Sequence, residues 1–441
     1  MGGSGLSSDT VELQEVANVV DSLHKTPEYI KEGFPIIRVT DIKGGYLDLS
    51  QTLRVSYEVY EEFSKKYKPH AGDILVSRVG SYGNFSFVNF DSPFCLGQNT
   101  AIIVPKNVDN KFLYFWLTSS SVKQQIEQRV VGSTQKTLSL KNIKELRVPN
   151  LSLEDQRSIS NVLSKLDENI ELNKIMIHNM EEIAHALFKR WIVDFEFPND
   201  NGEPYKSSGG ETVWSDELAA EVPIEWEVKR LDDLIESISQ TYKFTENQVI
   251  FLNTSDILDG EVLHEDYSYP SILPGQAKKR IYTGDILYSE IRPANKRFAY
   301  IDFDAQEYVV STKLMVLRSK SIVDSIIIYY FLTSKTIVDF LQTLAESRSG
   351  TFPQITFQQL KLISIAIPPA DLLNEFACTL RSIYTKIQNN RKENKFLSQI
   401  RDTLLPKLMS GEIRIPVEHE YILDADLPMV AETSANYISN T

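Results

Sequence analysis

The stretch LSKLDENIELNKIMIHNMEEIAHALFKRW, residues 163–191, decides how the rest of the chain is interpreted. Its apolar residues recur at alternating steps of three and four, which is the heptad pattern of a helix that pairs with another helix. The seam positions are Leu163, Leu166, Ile170, Asn173, Ile177, Met180, Ala184, Leu187 and Trp191. An asparagine at a seam position costs stability and usually fixes register or partner number. The stretch therefore predicts a long helix with a specific partner.

A second stretch, residues 380–408, repeats this pattern with an asparagine at the same heptad place. Its seam positions are Leu380, Ile383, Ile387, Asn390, Asn394, Leu397, Arg401, Leu404 and Leu408. We predict that the two helices pair with each other as a coiled coil; the alternative is that each packs on its own domain. An antiparallel pair would hold the preceding domains at opposite ends of a spacer about 55 Å long. A parallel pair, which would put the domains side by side, is less favoured.

The segments before the two helices are also similar to each other, which indicates an internal repeat. GDILVS at 72–77 recurs as GDILYS at 284–289, and LYFWLTS at 113–119 recurs as IYYFLTS at 328–334. Asp41-Ile42 likewise recurs as Asp256-Ile257, so the order of the matching segments is kept. The predicted fold class is α+β: two similar α/β domains separated by a pair of long antiparallel helices, with a pseudo-two-fold repeat.

The predicted domain limits follow from this repeat. They are a first domain at 1–150, a first long helix at 151–195, a linker at 196–222, a second domain at 223–369, a second long helix at 370–415 and an acidic tail at 416–441. Strands are expected at 35–42, 73–79, 85–90, 100–104, 249–257, 285–291, 297–301 and 313–317, and single helices at 111–130 and near 323–345. Pro406 and Gly411 are expected to end the second long helix. The opening Met1–Gly5 resembles an added leader and is left out of the fold prediction.

The formal net charge of −14 at first argues against a nucleic-acid partner. However, residues 196–221 hold seven acidic residues and one basic residue, and residues 412–441 hold six and one. Residues 278–320, by contrast, hold nine basic and five acidic residues. The acidity is therefore concentrated in the linker and the tail, and each domain keeps a local basic region that suits a phosphate backbone.

Several classes of protein find no support in the sequence. Cys95 and Cys378 are far apart, which indicates neither a disulfide framework nor a zinc site and is typical of the reducing cytoplasm. The apolar run at 326–332 is too short to span a bilayer. No phosphate-binding glycine loop, dinucleotide-binding motif, zinc-protease motif or Asn-Pro-Pro-aromatic methyltransferase motif is present. We predict no catalytic residue, no metal ligand and no cofactor in this chain.

Two unlike domains on a rigid spacer are suited to duplex DNA, which presents equivalent groove faces once per turn. Arginine, amide and hydroxyl side chains on turns after strands are the candidate base-contacting residues, because these groups match base edges. For each of them the alternative is an ordinary solvated turn. In the first domain they are Ser77, Arg78, Tyr82, Asn84, Gln98, Asn99, Gly132, Ser133, Thr134, Gln135 and Lys136. In the second they are Ser289, Glu290, Arg292, Asn295, Lys296, Arg297, Thr312, Lys313, Arg348, Ser349, Gly350, Thr351 and Gln354.

Four further segments carry a family resemblance. They are LFKRWIVDF at 187–195, GEPYKSSGG at 202–210, WEVKRL at 226–231 and LLPKLMSGEI at 404–413. Together with the two GDIL turns, they resemble the specificity (S) subunit of type I restriction-modification systems over nearly the whole chain. One departure is that the first domain lacks a tryptophan equivalent to Trp226, which leaves its N-terminal boundary open.

The resemblance implies two target-recognition domains, each of which reads one half of a bipartite asymmetric DNA site. It also implies that the helical spacer docks two modification (methyltransferase) subunits, and that restriction (translocase and nuclease) subunits join them. S-adenosylmethionine, ATP and Mg would then be carried by these partners and not by this chain. The target adenine would be swung out of the duplex into the modification subunit.

Two alternatives from other classes remain. One is a protein-only helical scaffold whose domains do not contact DNA. The other is a DNA-mimic adaptor, which the acidic balance suggests and the basic loops argue against.

Overall fold

The computed structural model describes residues 9–130, 136–239, 241–245, 247–275, 277–320 and 323–415. The chain forms two compact units: the first is made of Met1–Leu172 and Glu393–Thr441, and the second of Asn173–Lys392. The acidic tail at 416–441, the opening Met1–Gly5 and the candidate loop residues Gly132, Ser133, Thr134 and Gln135 lie outside the described residues.

The first unit is built on two small sheets. Its strands are β1 (Thr10–Glu12), β2 (Ala17–Asp21), β3 (Phe34–Ile37), β4 (Leu53–Val55), β5 (Ile74–Ser77), β6 (Phe85–Phe87), β7 (Cys95–Leu96), β8 (Thr100–Pro105) and β9 (Arg147–Pro149). An antiparallel sheet has the order β2-β8-β5-β6, and a second has the order β4-β3-β7 with β3 parallel to β7. Strand β1 pairs with β9. The helices before the spacer are α1 (Leu13–Val16), α2 (Tyr57–Phe63), α3 (Asn110–Thr118), α4 (Ser120–Arg129) and α5 (Leu140–Lys144).

The second unit repeats this topology. Its strands are β10 (Thr212–Ser215), β11 (Ala220–Pro223), β12 (Glu227–Arg230), β13 (Ile235–Ile238), β14 (Val249–Leu252), β15 (Ile257–Leu258), β16 (Glu261–Val262), β17 (Tyr267–Ser268), β18 (Ala277–Arg280), β19 (Ile286–Ser289), β20 (Phe298–Tyr300), β21 (Tyr308–Ser311), β22 (Leu314–Ser319) and β23 (Ser364–Ile367). The sheet β13-β22-β19-β20 corresponds to β2-β8-β5-β6, and the sheet β17-β14-β21-β18 again contains one parallel pair. The shorter helices are α7 (Leu231–Leu234), α8 (Ser325–Thr333), α9 (Lys335–Arg348) and α10 (Phe357–Leu360).

The two long helices are α6 (Leu153–Phe188), which continues into a turn of π-helix at Lys189–Val193, and α11 (Ala370–Met409). Within the first unit, Asp167 of α6 pairs with Arg401 of α11 at 2.8 Å, and Leu163 lies in the same core as Leu405 and Leu408. The segments of the two helices in this unit are therefore antiparallel. The fold class predicted from the sequence is confirmed: an α+β chain with two domains of the same topology, each followed by a long helix.

The second unit shows the same helix orientation. Glu181 of α6 pairs with Arg391 of α11 at 2.7 Å, and the ring centroids of Phe188 and Phe376 are 6.1 Å apart. The segments of α6 and α11 in this unit are again antiparallel, because higher residue numbers on one helix meet lower numbers on the other.

The predicted helix-pairing residues are all buried or half-buried. They are Leu163, Leu166, Ile170, Asn173, Ile177, Met180, Leu187, Leu380, Ile383, Ile387, Asn390, Leu397 and Leu404. Leu163 and Leu404 also pack in the core of the first unit, and Leu187 and Leu380 in that of the second. The seam therefore merges with the domain cores. Among the described residues, the buried amide nitrogens of Asn173 and Asn390 have no hydrogen-bond partner, so they do not bond to each other.

Four local predictions are wrong. The helices expected at 111–130 and 323–345 are each two helices, since the chain is extended at Ser119 and Ser334; the Ser119 hydroxyl accepts a hydrogen bond from the Val122 amide at 3.3 Å. Helix α11 also continues through Pro406 and ends after Met409. The cost of a proline in a helix, about 3 kcal/mol, is offset by burial of Leu405 and its neighbours in the core of the first unit.

The fourth correction concerns the segment at 196–222, which the sequence predicts to be a polar linker. Strands β10 and β11 form a hairpin there and reach Pro223. Phe197 is buried and stacks on Tyr205 and on Trp226, with ring centroids at 4.6 and 5.1 Å. The aromatic residues between the glycines and prolines thus attach this segment to the core of the second unit.

Candidate nucleic-acid interface

The GDIL turns place the candidate loops of both units through the same hydrogen-bonded turn. The Asp73 and Asp285 carboxylates accept hydrogen bonds from the backbone amides of His70 and Tyr282, both at 2.8 Å. Gly72 and Gly284 precede them with φ of 95° and 89°, which favours glycine. Burial raises the pKa of the Asp73 carboxyl, and the hydrogen bond to Asp285 raises the pKa of Arg318. These aspartates are structural: they start β5 and β19, and the candidate loops follow those strands.

In the second unit, the loop between β19 and β20 has an unusual backbone. Arg292 and Lys296 have φ of 43° and 53°, and a 3-10 turn, Pro293–Asn295, lies between them. The amide of Asn295 donates to the carbonyl of Arg292 at 2.8 Å. Left-handed backbone at a residue other than glycine costs free energy and tends to persist where function requires it. We call residues 290–297 the reading loop.

A second segment, which follows α9, packs against the reading loop. The Ile355 amide donates to the Glu290 carbonyl at 2.9 Å, and the Arg292 amide to the Pro353 carbonyl at 3.2 Å. Gln354 forms a β-bridge with Ile291. The structure therefore brings together two groups of candidate residues that are about 60 residues apart in the sequence. The first is Ser289, Glu290, Arg292, Asn295, Lys296 and Arg297; the second is Arg348, Ser349, Gly350, Thr351 and Gln354.

The candidate side chains in this cluster differ in availability. Arg292, Asn295, Lys296, Arg348, Gly350 and Thr351 are exposed. Ser289 is buried, and its hydroxyl accepts from the Ile291 amide at 3.0 Å. Arg297 donates to the Ser255 and Ile257 carbonyls at 3.1 and 3.0 Å, so it attaches the loop to the segment at 255–257. The exposed set suits direct contact with a nucleic acid, and the buried set suits holding the loop in shape.

Thr312 and Lys313 lie beside the same loop. The Glu290 amide donates to the Lys313 carbonyl at 3.0 Å, and the Lys313 Nζ lies 3.7 Å from the Glu290 carboxylate. Lys279 Nζ donates to the Thr312 and Leu314 carbonyls at 3.4 and 2.9 Å, and burial lowers its pKa. These contacts join the end of β21 to the reading loop.

The first unit arranges its equivalent loop in the same way. The Leu138 amide donates to the Arg78 carbonyl at 2.8 Å, as the Ile355 amide does to the Glu290 carbonyl in the second unit. Val79 forms a β-bridge with Thr137, as Ile291 does with Gln354. The position that matches Arg292 is therefore occupied by Gly80. Arg78 matches Glu290, and its guanidinium is engaged: it forms an ion pair with Asp21, donates to the Leu138 carbonyl at 3.2 Å and has a side chain only 12% exposed. Arg78 thus holds the loop in place.

The remaining candidates of the first unit lie around this loop. Lys136 Nζ and Tyr82 Oη both reach the Glu127 carboxylate, at 3.4 and 2.9 Å, and the hydrogen bond from Tyr82 lowers the pKa of Glu127. Asn84 and Gln98 are exposed. Ser77 is buried, and its hydroxyl accepts from the Asn84 amide at 3.0 Å. Asn99 has φ of 65°, and its carbonyl accepts from the Arg78 amide at 2.9 Å.

Sequence reasoning missed two contributors to the second cluster. Phe352, next to Thr351, is an exposed aromatic ring in a polar loop, where it is available for stacking. The side-chain oxygen of Gln342 in α9 accepts from the Ala294 amide at 3.1 Å and fixes the 3-10 turn. The sequence contains a signal only for Phe352, because it lies between Gly350-Thr351 and Pro353.

Two kinds of site are absent from the part of the chain that the structure describes. No group of three or more His, Cys, Asp and Glu side chains there could hold a metal ion. No helix within it is both long and apolar enough to cross a membrane.

The chain belongs to the family described as type I restriction modification DNA specificity domain, whose model matches residues 7–182 and again residues 223–399. It is thus a specificity subunit of the type I restriction-modification class with two recognition domains, and the family resemblance seen in the sequence is confirmed.

Individual relatives agree with this assignment. The specificity subunit of the type I restriction enzyme MjaIX from Methanocaldococcus jannaschii is 27% identical over 417 residues, which is 92% of each chain. That of HindI from Haemophilus influenzae is 40% identical over 182 residues, or 41% of this chain and 40% of the relative. The crystal structure of a type I restriction-modification S subunit from M. genitalium has a TM-score of 0.54 at 15% identity and covers 92% of this chain and 97% of that chain. The last comparison shows the fold alone.

Proposed function

We propose that each recognition domain reads one half of a bipartite, asymmetric site on double-stranded DNA, and that the chain itself catalyses no reaction. The observation that supports this most is the pair of equivalent loops with unlike side chains. Each loop is held by the same backbone hydrogen bonds, yet Arg292 is exposed in one unit where Gly80 stands in the other. Exposed arginine beside amides and hydroxyls suits contacts to base edges, and unlike sets favour unlike half-sites.

Partner subunits are the second part of the proposal. Names of the relatives place them in type I restriction enzymes, so we propose that two modification (methyltransferase) subunits dock on α6 and α11 and that restriction subunits join them. Within the second unit, Ile175, Met176 and Ile183 of α6 are exposed, although α6 also buries a seam. Exposed apolar side chains on one helix favour a protein partner. S-adenosylmethionine, ATP and Mg would act in these partners.

Mapping methylated adenines in the genome of the host, with and without this gene, tests the proposal most directly. The expected result is one split sequence motif, with two unlike specified parts and an unspecified gap, which disappears with the gene. A methylation pattern that does not depend on the gene would exclude the proposed function.

Exchanging the first domain for that of another specificity subunit, with the junction near Leu151, should change one half of the methylated motif and leave the other unchanged. We expect this because the loops of each unit are held by contacts within that unit, such as Arg78 with Asp21. The same mapping provides the measurement. A simultaneous change in both halves would contradict independent reading by the two domains.

Salt dependence distinguishes DNA reading from the two alternatives. For a DNA-binding complex, the logarithm of the affinity should fall with the logarithm of the salt concentration, with a slope of about −0.9 per phosphate contact. A protein-only scaffold would bind DNA weakly and without this slope, and a DNA mimic would bind DNA-handling proteins and ignore DNA. Fluorescence anisotropy with a duplex that contains the mapped motif, at several salt concentrations, measures the slope.

A further inference from the structure

One arginine of the spacer joins three elements within the second unit. Arg391 of α11 donates from Nη2 to the Glu181 carboxylate of α6 at 2.7 Å. It also donates to the Gly260 carbonyl at 2.9 Å and to the Asp259 carbonyl at 3.1 Å. Its side chain is only 12% exposed, so these contacts are shielded from water. Such fork-shaped, charge-assisted contacts fix relative positions more firmly than lysine would.

The turn that Arg391 contacts has a demanding backbone. Asp259 and Gly260 connect β15 and β16 with φ of 45° and 82°, so two successive residues are left-handed, as in the tight hairpin turn favoured by Asp-Gly. A Cβ on Gly260 would lie 2.6 Å from the Tyr329 hydroxyl and 3.5 Å from Arg391 Nη1. The turn is therefore packed closely against the helices and has little room to move.

The same turn holds the reading loop. The Asp259 amide donates to the Lys296 carbonyl at 2.8 Å, and the Gly260 amide to the Phe298 carbonyl at 2.9 Å. The Asp259 carboxylate also forms an ion pair with Lys296 at 3.0 Å. Lys296 is one of the two left-handed residues of the loop, so contacts to its carbonyl and side chain act where the backbone is least favourable.

We propose that Arg391 is a positioning residue for DNA reading by the second domain. The paired helices hold the Asp259–Gly260 turn through Arg391 and Glu181, and the turn holds residues 292–297 in the geometry that contacts bases. This inference rests on the proposed function, and it makes reading of the second half-site depend on the spacer as well as on the domain.

The test uses the complete complex of this chain with its modification subunits and maps adenine methylation for Arg391→Ala and for Asp259→Asn. Asparagine tolerates the left-handed turn but loses the charge that pairs with Lys296. We expect both variants to methylate sites with substitutions in one half of the motif, with discrimination there reduced about tenfold and the other half unchanged. Arg391→Lys, which keeps a cation but cannot hold three acceptors as a fork, should recover part of the discrimination.

Two variants control for a general loss of stability. Lys392→Ala removes the exposed neighbouring charge, and Arg401→Ala removes the half-buried guanidinium that pairs with Asp167 in the first unit. The proposal is overturned if Arg391→Ala leaves the motif unchanged, if it relaxes both halves equally, or if Arg401→Ala relaxes the same half as strongly. If the unmodified complex gives no bipartite motif, the proposed function fails instead, so the two failures are distinguishable.

Discussion

Replacing Phe376 with alanine should lower the free energy of unfolding of the second unit by about 3–5 kcal/mol, the usual cost of a large-to-small change in a core. Phe376 of α11 is fully buried. Its ring stacks on Trp191 with centroids 4.9 Å apart and contacts Phe188, so it joins the ends of both long helices to the core of this unit. Alanine would leave a cavity that these rings fill only in part. Urea unfolding followed by tryptophan fluorescence measures the change.

Phe396→Ala provides the matched control. Phe396 lies on the same helix, in the segment that belongs to the first unit, and is 61% exposed, so its removal should change stability by less than about 0.5 kcal/mol. Equal effects of the two substitutions would show that the ring of Phe376 is not packed as described.

Replacing Arg292 with alanine should weaken discrimination at one half-site by about 1–3 kcal/mol, roughly 5- to 150-fold, if its guanidinium pairs with a guanine edge. Among the residues that the structure describes, its guanidinium has one long contact, of 3.4 Å to the Thr351 carbonyl, so it is available to a ligand. The reading loop also holds it in a left-handed conformation that few arginines adopt. Binding of the complex to duplexes that vary one base pair at a time would show which position is relaxed.

Lys335→Ala is a suitable comparison for Arg292→Ala, because it removes one positive charge from an exposed site of the same unit where Asp339 pairs with it. It should leave base preference unchanged. An unaltered preference at every position after Arg292→Ala would remove Arg292 from the base-contacting set and would leave phosphate contact as its role.

Most of the architecture could be predicted from the sequence, because the repeat and the heptads are local signals. The features that could not be predicted from the sequence depend on pairing between residues that are far apart in the chain. Strands β2 and β13 are short and carry polar residues, and they become strands only by pairing with β8 and β22, about 80 residues away. The helix breaks at Ser119 and Ser334 coincide with the repeated Thr-Ser dipeptide, a capping signal that the apolar periodicity on either side obscured.

The candidate site was predictable to the same extent. The loops that meet were identified because each follows an equivalent repeated segment. Their chemistry could not be predicted, because Arg78 and Arg292 are both arginines just after a repeated GDIL segment and differ in what surrounds them. The Arg78 guanidinium pairs with Asp21, which is 57 positions earlier in the chain, whereas the Arg292 guanidinium donates to the Thr351 carbonyl at 3.4 Å.

The first unit is discontinuous, because Leu405, Leu408 and Met409 complete a core that the N-terminal segment begins. During synthesis, residues 173–392 leave the ribosome before these three residues do. The second unit can thus be finished while the first still exposes an unfilled apolar surface, the reverse of the usual N-terminal-first order. A nascent chain of this protein should therefore need protection at its earliest-made part until translation has passed Met409.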